Sequence, residues 1–298
     1  GAQVLSTTVQ SDGTWGVTAA ALAGGSYNVV ASVRDAAGNA GSATQALTVE
    51  VNPDPVLLGS AGTYSVLAGT GVANTLATSL SGDLGVSPST SITGFPPGTV
   101  GGAVHAADAA AAAAQADLVS AYNDVAARVA TGAIVADLGG QTLREGVYHS
   151  GAALALTGTV TLDAENDPNA IFIFQVDAAA NTAASSSVKL INGAQASHVF
   201  WQVNGAMGTG ASSSFAGTIL ASGGITLGSG TQLIGRALAY GTVTLALNTI
   251  RFTTALPPTV TIDGGPAVTT KDITPGITFF GKLKQAGNFL PVDPSPTT

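Results

Sequence analysis

Cysteine is absent from this chain of 298 residues, and charge is scarce: Asp, Glu, Lys and Arg make up only 9% of it, against 45% hydrophobic residues. The first absence excludes disulfides, thiolate metal sites and cysteine nucleophiles together. It leaves the compartment open, because exported proteins also avoid cysteine. The second means that Ser, Thr, Asn and backbone groups, rather than ion pairs, must keep the surface hydrated, which is unusual for a cytosolic enzyme. Nine Lys and Arg against 17 Asp and Glu leave a formal net charge of −8. No basic cluster stands ready to neutralise phosphates, so nucleic acid is excluded as a partner. Long apolar runs are missing as well: the longest, Ala106 to Ala114, is interrupted by Asp108, and no membrane span is expected. The opening residues lack the basic, apolar and small-residue order of an export signal, which is expected to have been removed or left outside the chain.

Motifs for chemistry are equally sparse. His105, His149 and His198 are scattered without the paired spacing of a zinc site. Gly69-Thr70-Gly71, Gly208-Thr209-Gly210 and Gly228-Ser229-Gly230 each lack the third glycine of a nucleotide loop and read as turns. No Gly-any-Ser-any-Gly nucleophile elbow occurs. The stretch Asp163 to Asn169 alternates oxygen ligands as a calcium loop does. It has no glycine at the sixth position, and Phe174 stands at the twelfth, where Glu is needed, so a polar turn is the expectation. The chain is expected to carry no metal, no cofactor and no enzymatic centre.

What the chain does have is repetition. Thr182-Ala183-Ala184-Ser185-Ser186-Ser187-Val188 recurs as Thr209-Gly210-Ala211-Ser212-Ser213-Ser214-Phe215, a step of 27 residues (182 to 209). Each copy follows an aromatic-Gln-Val strand end, Phe174-Gln175-Val176 and Trp201-Gln202-Val203. Leu220-Ala221-Ser222-Gly223-Gly224-Ile225-Thr226-Leu227 then matches Leu238 to Leu245 at a step of 18 (227 to 245). Repetition at a fixed step marks a stacked solenoid, in which each coil buries its apolar face against the next. Two unequal steps imply a shared cross-section with corners of different length. Within a coil, alternation from Val243 to Asn248 sends Val243, Leu245 and Leu247 inward and Thr244, Ala246 and Asn248 outward. The one strong helix is expected over 103–129, an alanine-rich run with Leu118, Tyr122, Val125 and Val129 on one stripe, lying along the side of the solenoid.

Composition divides the chain. Residues 1–51 read as short alternating strands, and Asp12-Gly13-Thr14-Trp15 with Val33-Arg34-Asp35 resembles the later part of bacterial immunoglobulin-like repeats, a partial β-sandwich. Residues 52–55, Asn-Pro-Asp-Pro, form a linker; 56–255 hold the solenoid; 256–298 begin a second immunoglobulin-like repeat and a tail. Residues 1–51 make about half a sandwich, which is poorly equipped to bury a core alone, so packing on the solenoid or pairing with the C-terminal segment is expected.

Leu58-Gly59-Ser60-Ala61, Gly82 to Pro88, Gly94-Phe95-Pro96-Pro97-Gly98, the alanine-rich helix, Asp167 to Gln175 and Gly235-Arg236-Ala237-Leu238-Ala239 occur in one order. Together, over roughly Pro55 to Thr254, they resemble the microbial ice-binding protein family. The resemblance implies a right-handed discontinuous β-solenoid, triangular in section, with an α-helix beside it and a flat face that adsorbs to ice crystals. Some members carry Thr-Ala/Gly-any-Thr/Asn on that face; Thr182-Ala183-Ala184-Ser185 and Thr209-Gly210-Ala211-Ser212 match its first two positions, with Ser at the fourth. The expected contacts are Thr157, Thr182, Ala184, Thr209, Ala211, Thr226, Gly228, Thr244, Ala246 and Asn248, taken as outward or at repeat corners. The serines at 185–187 and 212–214 are expected to be coil corners, where hydroxyls bond local backbone. The expected partners are the ice surface and neighbouring immunoglobulin-like domains, in a secreted or cell-surface bacterial protein. The alternative is a structural or adhesive module with the same fold and no affinity for ice.

Overall fold

In a computed structural model the described residues are 4–12, 14–19, 25–34, 37–49, 55–253, 259–260, 268–269 and 277–282. The chain forms two compact units, one of 52–256 and one that combines 1–51 with 257–298. In the smaller unit Gly25–Arg34 and Ala40–Val49 form an antiparallel pair, and Thr14–Ala19 pairs antiparallel with Ile277–Lys282. The linker residues 52–54 and most of 256–298 lie outside the described residues. Among the described residues no helix is long and apolar enough to cross a membrane.

Parallel strands build the larger unit. Each coil runs along three sides in turn, as in Tyr64–Ala68, Gly71–Asn74 and Ser79–Leu80. Successive coils pair in register, so that on the first side Phe174 meets Trp201 and Gln175 meets Gln202. The second side is a separate sheet of seven strands, whereas the first and third belong to one sheet of fifteen. They are joined because Ser214–Ala221 and Gln232–Ala239 run on around the corner between them. Gly217 and Gly235 make that bend at φ of 114° and 155°, paired across the ladder, and a Cβ on Gly235 would collide with the Gly217 carbonyl. The unequal repeat has the same cause. The 27-residue coil (Asn181 to Gly208) detours between Ile191 and Val199 through the turn Ala196–His198, while the 18-residue coil (Thr226 to Thr244) passes that corner inside one strand.

Chain order and stacking order part company at one place. The N-terminal strands Tyr64–Ala68 and Gly71–Asn74 pair with the C-terminal Gln232–Ala239 and Thr242–Leu245. Val104–Ala106 closes one end of the stack, the helix Ala109–Ala127 carries the chain back, and Gly132–Ala133 opens the other end. This is a discontinuous β-solenoid with one flanking helix.

The helix is shorter than its alanine run suggests. The Asp108 carboxylate caps it by accepting from the Ala111 N–H at 2.8 Å, and Val104–Ala106 is drawn into the sheet instead. At the far end the Gln175 amide donates to the carbonyls of Val125 (2.7 Å) and Arg128 (2.8 Å). Val129 therefore falls outside the apolar stripe and is 85% exposed. Ala114, Leu118, Tyr122 and Val125 bury against Leu67, Ile173, Phe200, Leu220 and Leu238 on the outer surface of the first side. The inner surface of the same strands carries a stack of Tyr148, Phe174 and Trp201, the last two with ring centroids 3.9 Å apart. The first side is thus buried on both surfaces.

Candidate functional site

Two of the three sides remain open to solvent. On the seven-stranded sheet the strands are so short that each presents one outward residue between two inward ones, as in Leu154-Ala155-Leu156, Ile225-Thr226-Leu227 and Val243-Thr244-Leu245. Strand register lines these outward residues up as Ala155, Asn181, Gly208, Thr226, Thr244, Ala73 and Thr93. At about 4.8 Å per strand the row is about 29 Å long. Flanking rows run two residues to either side: Ala153, Ala206 and Thr242 on one, Thr157, Gly228 and Ala246 on the other. The Thr70 and Thr242 hydroxyls meet at 2.8 Å along the first of these. The seven strand segments 70–75, 91–94, 153–157, 179–183, 206–211, 223–228 and 241–246 contain no Asp, Glu, Lys, Arg or His. The first charge lies one step beyond Ala155, at the half-buried Asp137, whose carboxylate accepts from the Gly139 and Thr157 N–H groups.

The ten expected contacts divide on this geometry. Thr226 and Thr244 are exposed in the central row; Thr157, Gly228 and Ala246 line its edge, and Ala184 and Ala211 stand exposed at the corner beyond. Three expectations are corrected. Thr182 pairs with Leu156 and Thr209 with Leu227, so both take inward register positions; Thr209 is 7% exposed and Thr182, beside the corner, is half-buried. A slip of one residue moves a strand position to the opposite surface. Asn248 is 1% exposed. Its alternation fails because Leu247, at φ 55°, turns out at the corner and drops the next residue inside. The serines are corner residues: Ser185 and Ser212 both adopt φ 57°, and the buried Ser186 and Ser213 hydroxyls meet at 3.1 Å.

Five residues of the central row escaped the sequence reading: Asn181, Gly208, Ala155, Ala73 and Thr93. The repeat held the signal for the first two, since stepping back 18 residues from Thr226 gives Gly208 and a further 27 gives Asn181. Ala73 and Thr93 belong to N-terminal coils that carry no copy of the repeat, and only the closure of the stack aligns them with Thr244.

Polar chemistry elsewhere is absorbed by turns and pairs. Asp163 accepts from the Glu165 N–H (2.9 Å) and from Asn192 Nδ2 (2.7 Å), and Asp167 from the Asn169 N–H (2.8 Å), which makes 163–169 a polar turn. Among the described residues no cluster of three His, Asp or Glu is placed to hold a metal. A groove beside the end of the helix is lined by Tyr122, His149, Gln175, Asp177, Gln202 and Asn204; its one carboxylate, Asp177, sits 3.0 Å from His149 Nε2. Burial holds His198 below the ordinary histidine range.

Known proteins share this architecture and much of its sequence. The family model described as Ice-binding-like matches residues 66–251, and that of a Bacterial Ig-like domain matches 1–52. An ice-binding protein from a Nostoc species is 42% identical over 172 residues, a match that spans 57% of this chain and 64% of the relative's length. The crystal structure of an ice binding protein from an Antarctic biological consortium shares 45% identity with a TM-score of 0.67, covering 68% of this chain and 94% of the other. That of an ice-binding protein from the Antarctic ascomycete Antarctomyces psychrotrophicus shares 39% with a TM-score of 0.66, covering 67% and 99%.

Proposed function

The chain belongs to the ice-binding-like family, and from that premise we propose that it adsorbs to ice through the exposed side of the seven-stranded sheet, restraining crystal growth and recrystallisation. One observation carries the reading: an unbroken row of small and uncharged polar residues, flanked by two further rows, on seven strands without a charged side chain. Ice offers a fixed lattice of donors and acceptors, so its partner must be flat and rigid. Threonine in a strand is stiff about χ1, which leaves little entropy to lose on contact. Its methyl disfavours disordered hydration while its hydroxyl anchors ordered water that merges with the crystal. A charged head would keep its own hydration shell in place of the lattice.

Thr226, Thr244 and Thr93 are the central contacts, with Thr157, Gly228 and Ala246 along the edge and Ala184 and Ala211 at the corner. Adsorption requires no reaction and no cofactor. The immunoglobulin-like match over 1–52 supports a setting outside the cell, where neighbouring domains of that kind space the solenoid from its attachment. Thermal hysteresis and ice shaping of the purified protein, beside Thr244→Tyr, test the reading. Faceted crystals and a freezing gap that the substitution removes are expected. Unshaped crystals at high protein concentration would leave the chain a structural or adhesive module.

A further inference from the structure

We infer that a buried ladder of hydroxyl and amide side chains behind the edge of the seven-stranded side holds that edge flat, so that residues which never touch ice set how well the face fits it. The inference rests on the proposed ice face and assigns a positioning role to Thr182, Thr209, Ser213, Thr231 and Asn248.

Gly210, Gly228 and Ala246 are successive positions of the edge row, and each is pinned from beneath. The Gly210 N–H donates to Thr182 Oγ1 at 3.1 Å, while its carbonyl accepts from Ser213 (2.8 Å) and Thr231 (3.1 Å). The Gly228 N–H donates to Thr209 Oγ1 at 3.1 Å, and its carbonyl accepts from Asn248 Nδ2 at 2.8 Å. The Ala246 N–H donates to Asn248 Oδ1 at 2.6 Å. The hydroxyl directions follow from proton count. Thr231 has one hydroxyl proton, given to the Gly210 carbonyl, so at 3.0 Å it accepts from Thr209. A directed chain from the Gly228 N–H through Thr209 and Thr231 to the Gly210 carbonyl therefore ties one coil to the next.

Four of these side chains are buried, with Ser213 and Asn248 at 1% exposure, Thr231 at 0% and Thr209 at 7%, and Thr182 is half-buried. Hydrogen bonds in such surroundings are strengthened by the low dielectric, and losing one partner leaves the other unsatisfied. Backbone bonds share the work, since the Gly228 N–H also reaches the Thr209 carbonyl at 3.0 Å and the Thr231 N–H donates to the Gly228 carbonyl at 3.1 Å. A Cβ on Gly228 would come within 2.6 Å of the backbone of Thr209, Gly210 and Ala211, so the corner is packed backbone on backbone. A surface that must match a crystal loses its fit when its support loosens by a fraction of an ångström.

Thr231→Val keeps the side-chain volume and removes the hydroxyl. Thermal hysteresis measured just below 0 °C is expected to fall about threefold, with an unchanged circular dichroism spectrum at that temperature, and Thr231→Ser is expected to restore most of it. Leu162→Ala, a core truncation behind the third side, serves as the stability control; it is expected to lower the melting temperature at least as far while leaving hysteresis at the wild-type level. Wild-type hysteresis in Thr231→Val overturns the inference, and so does an equal loss in Leu162→Ala, which would make the effect one of stability. Thr209→Val is read by the same criteria should Thr231→Val not fold. Absence of ice activity in the wild-type protein would strike the proposed face rather than its support.

Discussion

The seven-stranded side and the third side are made by the same coils and stacked in the same parallel register, and both carry a row of small or polar uncharged residues. On the third side the row is Thr159, Ser187, Ser214, Gln232, Thr249, Ser79 and Thr99. Two residues along those strands come Lys189 and Arg251, both exposed, and farther round lies the exposed Arg144–Glu165 pair at 3.1 Å. The solenoid stacks equally well beneath either pattern, so freedom from charge on one side is not a demand of folding. Threonine and serine favour strands wherever they occur. The distinguishing property is therefore the width of surface without charge.

Substitution at matched places on the two sides breaks or sharpens this contrast most directly. Thr244→Tyr, in the middle of the seven-stranded row, is expected to lower hysteresis by about tenfold, as loss of a central contact does at other interfaces. Thr249→Tyr, in the row of the third side, is expected to leave it near the wild-type value, and equal losses in both would erase the distinction. Next in size is the helix, which covers the side that neither row occupies. Leu118→Ala is expected to cost about 2–5 kcal/mol of stability, read from denaturant unfolding, while the crystal planes bound stay the same.

Acid separates fold from face. His198 is held below its ordinary 6.5 by burial, so the folded chain binds fewer protons than the unfolded one. Stability from this group is complete above pH 6.5 and is lost as the pH falls from there toward the folded value. Asp108, Asp117, Asp137 and Asp163 lie below 3.8, chiefly because backbone N–H groups, or for Asp117 the Ser60 hydroxyl, donate to them. Their contribution is present above about pH 3.8 and is lost as the pH falls through their folded values. Melting temperature is thus expected to drop in two acid stages. Hysteresis is expected to stay level between about pH 5 and pH 9, since the seven strands carry nothing that titrates and Asp137, beside Ala155 at their end, is held below 3.8. A decline within that range in a folded protein would mean that a group outside the side takes part. The smallest effect is expected from Gly208→Thr, which extends the hydroxyl row at the cost of shifting the end of the Asn181 side chain, and should raise hysteresis by less than about twofold.

Much of this was legible in the residues. The steps of 27 and 18 announced stacked coils with unequal corners, and the detour between Ile191 and Val199 accounts for the difference. Thr226 and Thr244 were readable as outward because each sits between two large apolar residues. Thr182 and Thr209 misled because the most recognisable residue of the repeat stands at the last strand position, beside a corner, where alternation stops being a guide. The helix start misled in the same way: alanine favours a helix from 103 onward, but the open edge of the strand Asp83–Val86 claimed Val104–Ala106 first.

Sequence alone determined the periodicity, the absence of charge on seven short segments and the helix with its apolar stripe. All three are local, since each depends on residue types a few positions apart. Only the tertiary structure decided which row faces water, that the N-terminal strand Gly71–Asn74 completes the C-terminal sheet, and that Thr209 and Asn248 work from beneath the surface. Those outcomes depend on which coil stacks on which and on how each corner turns, and backbone closure across some 170 residues, as between Thr75 and Leu245, leaves no mark in local pattern.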